Sequence, residues 1–311
     1  MLDALGVSAR NVMIEISVVI PTFNRCEQLR SCLLALAAQE RVAMQSVEVI
    51  VVENGPKCGV KEMVDSLEQH FQSLRYVYDA VPGVSRARNV GMENAGGAVL
   101  VFLDDDEVPG AHWLSELTEP FRQDGKRADI VCGENKPVWG AERPTWLTDD
   151  LLRCYTVDLQ WSSELVELED GQWVAEGNCA VRADLLRAAG GFRTDLGRVG
   201  TDLLSGEGAV FDELRSKGAV AMFNPNAIVE HYIFAEQLTL NWLFRRWFAQ
   251  GREDAIKFGD NFPWLGSLSG SAIRMDAFAK QDHEQLADDQ VLTGVQLYRA
   301  LGFLCQKQRV L

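Results

Sequence analysis

Short apolar runs of strand length alternate, in the first third of the chain, with segments whose apolar residues recur at helical spacing. The predicted strands are rich in β-branched residues: Ile14–Ile20, Val47–Val52, Leu74–Tyr78 and Ala98–Leu103. The predicted helices lie between them: Leu29–Leu36, Val60–Phe71 and Ser85–Asn94. We expect Pro21 to end the first strand, because proline cannot donate a hydrogen bond to the ladder. The alternation predicts an α/β fold with a mostly parallel central sheet and helices on both faces.

The rest of the chain is less regular and ends in a helical region. Its predicted elements are helices over Ala183–Ala189 and Ala209–Lys217, strands over Val220–Phe223 and Ile228–His231, and a loop at Asn224–Asn226 between those strands. From Leu238 onwards one helical stripe is apolar: Leu240, Leu243, Phe244, Trp247 and Phe248. Gly266–Gly270 reads as a flexible connector. We therefore predict a first domain over residues 1–235 and a helical C-terminal extension over 236–311.

The composition is that of a globular protein with a strong negative charge. Of 311 residues, 47% are apolar, and 30 basic against 45 acidic residues give a net charge of −15. Such a charge repels nucleic acid at long range, so we expect no nucleic-acid partner. No apolar run reaches the roughly 18–20 residues of a transmembrane segment, and Met1–Asn11 does not resemble a signal peptide. The seven cysteines are scattered, which favours reduced thiols and a cytoplasmic location.

Polar residues follow three of the predicted strands at their carboxyl ends. These clusters are Thr22–Arg25, Glu53–Asn54 and Asp104–Asp106. Ligands of α/β proteins bind beyond the carboxyl ends of the strands. Adjacent carboxylates repel unless a cation neutralises them, and Mg²⁺ or Mn²⁺ takes carboxylate oxygens together with substrate phosphates. The aspartate triplet therefore predicts a metal–diphosphate site, and a solvated acidic turn that caps the next helix is the alternative.

Four segments resemble, in order and in spacing, the successive motifs of family 2 glycosyltransferases of the GT-A fold: Val18–Arg25, Val51–Gly55, Ala87–Gly91 and Phe102–Asp106. The likeness continues more loosely through Glu176–Asn178, Gly190–Phe192, Ser205–Glu207 and Asn224–His231. It implies a GT-A, Rossmann-like fold and an inverting enzyme that moves a sugar from a nucleotide-diphospho-sugar donor to a hydroxyl acceptor, in glycan or polysaccharide biosynthesis. The first domain would then hold a donor half, about residues 14–110, and an acceptor half, 111–235.

The resemblance also implies roles for single residues. Those at the nucleotide would be Pro21, Thr22, Phe23, Asn24, Arg25, Glu53, Asn54, Arg88, Asp104 and Asp105. The family usually has an aspartate where Glu53 stands. Asp104 and Asp106 would form the DXD pair that holds Mn²⁺ or Mg²⁺, and His231 would complete the metal shell. A hydrogen-bonded core or surface histidine is the other interpretation of His231.

Inverting transfer needs a carboxylate that takes the proton of the acceptor hydroxyl. Related sequences often carry Glu-Asp where this chain has Glu207-Gly208, so Glu207 is the first candidate for this base and Asp212 the second. The glycine motivates an alternative hypothesis, a catalytically impaired GT-A-like module that binds a nucleotide or glycan. A nucleotidyltransferase is a weaker third hypothesis, because we find no basic loop that would hold a triphosphate.

The acceptor side is less defined by the sequence. Trp173, Glu176 and Asn178 are predicted to contact the sugar or the acceptor, although a core position is as consistent with a tryptophan. The acceptor itself stays open between a glycan, a lipid-linked and a small molecule. The apolar stripe after Leu238, interrupted by Arg245-Arg246, would lie on a membrane that carries a lipid-linked acceptor, at its inner face, or pack on the catalytic domain.

Overall fold

A computed structural model describes residues 15–122, 128–200, 202–206, 208–259 and 288–308. The strands of this part of the chain are β1 (Ile16–Thr22), β2 (Val47–Asn54), β3 (Leu74–Asp79), β4 (Val99–Leu103), β5 (Glu107–Pro109), β6 (Ile130–Trp139), β7 (Val166–Glu167), β8 (Asn178–Arg182) and β9 (Ala221–Ile233). The helices are α1 (Cys26–Ala37), α2 (Val60–Leu67), α3 (Val84–Asn94), α4 (Trp113–Thr118), α5 (Ala183–Ala188), α6 (Ala209–Ser216), α7 (Leu240–Phe258) and α8 (Asp288–Gln308). Three features named above lie outside the described residues: Met1–Asn11, Glu207 and Gly266–Gly270.

The strands form one mixed sheet in the order β3-β2-β1-β4-β8-β6-β9-β5, with β7 paired to β9. Neighbours from β3 to β4 are parallel. The half beyond β4 is mixed: β8 is antiparallel to β4 and β6, and β9 runs parallel to β6 but antiparallel to β5 and β7. The α/β prediction is therefore confirmed, with the parallel strands in the first half and antiparallel pairs in the second.

Helices cover both faces of the parallel half, as the apolar runs predict. Val18 and Ile20 of β1 point into the core that packs against Leu33 of α1. Val19, between them, points to the opposite face, where it packs with Ala87 of α3. Because side chains alternate along a strand, a run that is apolar at every position belongs to a strand buried on both faces.

Two predicted boundaries are wrong, and each involves a proline in a strand. Pro21 lies inside β1, opposite Val52 of β2. It is tolerated because β4 pairs with β1 only as far as Val19, so no partner on that side requires an amide donor. The loop predicted at Asn224–Asn226 is instead part of β9. The register with β6 jumps there, which leaves Pro225 in a bulge outside the regular ladder.

The bulge brings the backbones of β6 and β9 unusually close at Gly133. A Cβ on Gly133 would lie 1.9 Å from the carbonyl oxygen of Ala227 and 2.6 Å from Nδ2 of Asn178. Gly133 is the last residue before the register shift, which falls between it and Glu134. Glycine is needed here because of the close approach of the neighbouring backbone.

Helices α7 and α8 pack against each other through reciprocal glycines. A Cβ on Gly251 of α7 would lie 1.8 Å from the carbonyl oxygen of Arg299, and one on Gly302 of α8 would lie 1.9 Å from that of Phe248. The apolar stripe of α7 faces protein, since Leu243 and Phe244 are buried in a cluster with residues of α8. Within the described ranges, neither of these helices nor any other is both long enough and apolar enough to span a bilayer.

Candidate active site

A cavity of about 1180 Å³ opens at the carboxyl ends of the parallel strands and extends to α7. It collects most of the residues predicted from the sequence: Pro21, Thr22, Phe23, Arg25, Asn54, Arg88, Asp104, Asp105, Asp106, Trp173, Glu176, Asp212 and His231. Among the described residues, three predicted ones do not line it: Asn24, Glu53 and Asn178. The strand-end clusters therefore converge, as the topology of a parallel sheet requires.

Two arginines contact the three aspartates of the triplet. Asp104 accepts from Arg88 Nη2 at 2.6 Å, and that arginine is only 2% exposed. Arg25 Nη1 lies 2.9 Å from Asp105 Oδ1 and 2.6 Å from Asp106 Oδ2, so it bridges the second and third carboxylates. Thr22 donates its hydroxyl to Asp105 at 2.7 Å. The two arginines thus balance much of the negative charge that three adjacent carboxylates create.

Burial and Arg25 shift the pKa values of Asp105 and Asp106 in opposite directions. Burial raises the pKa of Asp105 to about 6, against the opposing charge of Arg25. Burial acts on Asp106 as well, but there the opposing charges, of which Arg25 is the largest, outweigh it and lower the pKa below its usual value. Asp106 is therefore an anion at neutral pH, held next to an imidazole.

His231 lies on β9 opposite Glu107 and faces Asp106, with Nε2 3.9 Å from Asp106 Oδ1. Burial lowers the pKa of His231, and Asp106 and Asp104 offset this only in part, so the ring is neutral at pH 7. Its Nδ1 is buried without a hydrogen-bond partner in this part of the structure. A neutral imidazole with an unpaired nitrogen, next to carboxylates, has the chemistry of a metal ligand.

The side chains predicted to hold a metal are not arranged around a single position. Across the ranges the structure describes, no three His, Cys, Asp or Glu side chains are arranged as a set of ligands for one ion. The guanidinium groups of Arg25 and Arg88 contact the carboxylates of Asp106 and Asp104 instead. Cation binding at this site would therefore require at least one of these contacts to be exchanged.

The wall predicted to hold the nucleoside is formed by β1, β2 and the turns that follow them. Phe23 packs over Gly55, where a Cβ would lie 2.6 Å from its ring. Glu53 is turned away from the cavity: it accepts from the amide of Cys58 at 2.9 Å and from the hydroxyl of Tyr76. Asn24 is exposed and has φ 57°, the left-handed conformation that turns the chain from β1 into α1. The predicted residues of this wall that line the cavity are thus Pro21, Thr22, Phe23 and Asn54.

Asn178, predicted to contact the acceptor, lies beneath the cavity in a buried network. It accepts from the indole of Trp113 at 2.7 Å and donates to Asn135 Oδ1 at 2.9 Å. Asn135 in turn donates to Glu107 Oε1 at 3.0 Å. Burial, reinforced by Asp104 and Asp106, raises the pKa of Glu107 well above its usual value. The network supports the strand ends from behind, and no periodic pattern in the sequence predicts it.

Replacing Asn178 by alanine should lower the free energy of unfolding by about 2 kcal/mol, because the buried indole and amide groups lose their partners. Urea unfolding measures the change, and Asn226→Ala is the matched control, because Asn226 is exposed and its loss should cost less than about 0.5 kcal/mol. An unchanged stability combined with a raised KM for an acceptor would instead indicate direct contact with substrate.

The acceptor side of the cavity joins the loop before β8 to the first turn of α6. Trp173 packs edge-on against Trp161 with ring centroids 4.8 Å apart. Glu176 accepts from the amide of Gly208 at 2.6 Å. Asp212 lies in the first turn of α6. Glu207, the first candidate for the base, lies outside the described residues, so its role stays a prediction.

Helix α7 contributes residues to the cavity that the sequence patterns did not indicate. Glu253 pairs with Lys257 at 2.8 Å and accepts from Ser205 at 3.0 Å. Arg246, which is 8% exposed, donates to the same serine at 2.5 Å. These contacts join α7 to the segment before α6. The i, i+4 spacing of Glu253 and Lys257 predicts an ion pair, but a local pattern does not show that it faces a cavity.

Comparison with protein families and curated proteins gives consistent matches. Residues 17–169 match the family model described as glycosyl transferase family 2. The succinoglycan biosynthesis protein ExoM of Rhizobium meliloti is 29% identical over 249 residues, which cover 78% of this chain and 74% of ExoM. The glycosyltransferase AglE of Haloferax volcanii is 37% identical over 119 residues, 38% of each chain.

Solved structures agree in fold. The mannosyltransferase PcManGT from Pyrobaculum calidifontis, in complex with GDP-Man and Mn²⁺, superposes with a TM-score of 0.62 at 16% identity. The match covers 95% of this chain and 88% of PcManGT. At this identity the likeness establishes the shared fold, including the part of the chain beyond the matched family segment.

Proposed function

We propose that this chain, which belongs to glycosyltransferase family 2, transfers a sugar from a nucleotide-diphospho-sugar donor to a hydroxyl acceptor with inversion and needs a divalent cation. Glycosyl transfer in glycan biosynthesis is supported by the matched family model, by AglE, which is named a glycosyltransferase, and by ExoM, which is named a succinoglycan biosynthesis protein. The donor class, the stereochemistry and the cation are the parts that we propose.

The observation that carries the proposal is the cluster at the carboxyl ends of β1 and β4. Asp104, Asp106 and His231 line one cavity with the aromatic ring of Phe23 and the amide of Asn54. Carboxylates beside a neutral imidazole suit a cation bound to a diphosphate. An aromatic ring and an amide suit a nucleobase, which stacks on the first and hydrogen-bonds to the second. The two groups lie side by side, as a nucleoside diphosphate requires.

The donor set fits a hard divalent cation. Asp106 is ionised, and His231 is neutral with a buried nitrogen that has no partner among the described residues. Asp104 and Asp106 would hold the cation, and His231 would complete its shell. When bound, such a cation stabilises the negative charge that develops on the departing diphosphate. The GDP-Man and Mn²⁺ complex of PcManGT supports this part of the proposal.

The arginines orient the carboxylates and remain close to the diphosphate. Arg88 fixes Asp104 from beneath, and Arg25 fixes Asp106. Both are fully charged at neutral pH, so they attract an anionic donor into a molecule whose overall charge of −15 would repel it. At the strand ends the two arginines therefore offset much of the charge of the aspartate triplet, which lessens the repulsion of an anionic donor.

Calorimetric titration of UDP, GDP and dTDP, each with Mn²⁺ and with EDTA, tests the proposal. One nucleotide should bind at least about tenfold more tightly with Mn²⁺ than without it, because its diphosphate and the cation stabilise each other's binding. ADP with Mn²⁺ is the control for unspecific binding of a metal diphosphate. Equal affinities for ADP and all three nucleotides would contradict the donor site. Selective binding of one nucleotide with the same affinity in Mn²⁺ and in EDTA would contradict only the requirement for a cation.

A further inference from the structure

The carboxylate of Glu176 occupies the space into which a side chain at position 208 would project. The amide of Gly208 donates to Glu176 Oε1 at 2.6 Å, and a Cβ on Gly208 would lie 2.3 Å from the same oxygen. Gly208 has φ −65° and ψ −4°, a conformation open to every L-residue. A side chain at 208 would therefore require the Glu176 carboxylate to move, whereas the backbone conformation of 208 sets no such condition.

Glu176 also adjoins the aspartate triplet. The next residue, Gly177, accepts from the amide of Asp104 at 3.2 Å, and a Cβ on it would lie 2.6 Å from Asp104 Oδ2. The side chains of Glu176, Asp104 and Asp106 line the same cavity. Glu176 is thus next to the predicted diphosphate site on one side and next to the start of α6 on the other.

Lys257 brings a positive charge near Glu176. Burial lowers the pKa of Lys257, but the charges of Glu253, Glu176 and Asp212 outweigh it and raise that pKa. Lys257 is therefore a cation near all three carboxylates. Its direct ion pair is with Glu253, at 2.8 Å. A nearby cation favours the ionised form of a carboxylate, which is the form that accepts a proton.

We propose that Glu176 is the catalytic base, in the place that Gly208 leaves open. This rests on the proposed function. The Glu176 carboxylate takes the proton of the acceptor hydroxyl while that oxygen forms a bond to the anomeric carbon. The bond from that carbon to the donor's diphosphate breaks, and its electron pair leaves with the diphosphate. The charge lost from the base reappears on the departing group, so the step is balanced.

Matched substitutions of the two glutamates test the assignment without knowledge of the acceptor. The readout is release of nucleoside diphosphate from UDP-glucose, GDP-mannose and dTDP-glucose in Mn²⁺, with water as the acceptor. Glu176→Gln should reduce the rate by at least about 100-fold, the scale of general-base catalysis. Nucleotide affinity and thermal midpoint should stay at the wild-type values. Glu207→Gln should reduce the rate less than Glu176→Gln does.

Moving the carboxylate from position 176 to position 208 tests whether Glu176 acts as a base or has only a structural role. Gly208→Asp alone should lower the rate, because its Cβ takes the space of the Glu176 carboxylate and displaces that side chain. Glu176→Ala should be inactive, because the carboxylate is missing. The double variant Glu176→Ala with Gly208→Asp removes the overlap and returns a carboxylate to the same space. It should recover at least about tenfold in rate over Glu176→Ala, a modest part of general-base catalysis.

The outcomes distinguish this assignment from the proposed function. The wild-type chain must first release nucleoside diphosphate from a donor. If Glu176→Gln then keeps more than a third of the wild-type rate, the donor site stands and the role of Glu176 is overturned. A double variant that folds but recovers no activity would overturn it too. A wild-type chain that cleaves none of the three donors would instead contradict the proposed function, and the role of Glu176 with it.

Discussion

Asp106→Ala is expected to abolish Mn²⁺-dependent donor turnover, with a loss of at least about 100-fold, the scale on which transition-state charge stabilisation acts. The side chain is 8% exposed, ionised, and in contact with Arg25 at 2.6 Å. Its removal deletes one predicted cation ligand and leaves Arg25 without one of its two carboxylates. Release of nucleoside diphosphate from a sugar donor measures the effect.

A second aspartate at a strand end provides the control. Asp79 ends β3 and pairs with Arg86, but it is not among the residues that line the cavity. Asp79→Ala removes the same charge and should keep nearly full turnover. Full activity in Asp106→Ala would refute the assignment of the aspartate triplet to the donor site.

Gly133→Ala is expected to lower the free energy of unfolding by about 3 kcal/mol, because the added methyl group overlaps backbone that cannot move without breaking the β6–β9 ladder. The atom in its way is the carbonyl oxygen of Ala227, at 1.9 Å. Urea unfolding followed by tryptophan fluorescence measures the loss. Gly110→Ala is the control, since its Cβ would meet the carbonyl of Ile228 at an ordinary 3.4 Å. Equal stability of the two variants would contradict the close approach.

The parallel half of the fold could be predicted from the sequence because each of its elements has a local signature. A continuous apolar run such as β4 is typical of a strand with both faces covered, and leucines at helical spacing predict α1. The second half lacks these signals. β6 and β8 pair with strands far away in the chain, and β7 has two residues. Such strands form because they pair with strands that are distant in the sequence, and a short stretch of sequence does not show that pairing.

The candidate site, like the fold, could be predicted from the sequence only in part. Thr22, Asn54 and Asp104 could be grouped from the sequence because the carboxyl ends of adjacent parallel strands meet. The direction in which a side chain turns could not be predicted. Glu53 faces Tyr76 and the amide of Cys58 because of packing between β2, β3 and the turn after β2. The approach of α7 to the cavity depends on contacts between residues about 40 to 50 positions apart, such as Ser205 with Glu253.

The reciprocal glycines of α7 and α8 bear on how this protein can be shortened for expression and crystallisation. Phe244 of α7 stacks on Tyr298 of α8 with ring centroids 4.9 Å apart, and Leu243 is fully buried in the same cluster. A truncated version that stops after β9, or after α7, would remove a wall of the cavity or expose this apolar face to solvent. The smallest unit worth producing therefore extends through α8 to residue 308, although the sheet is complete at Ile233.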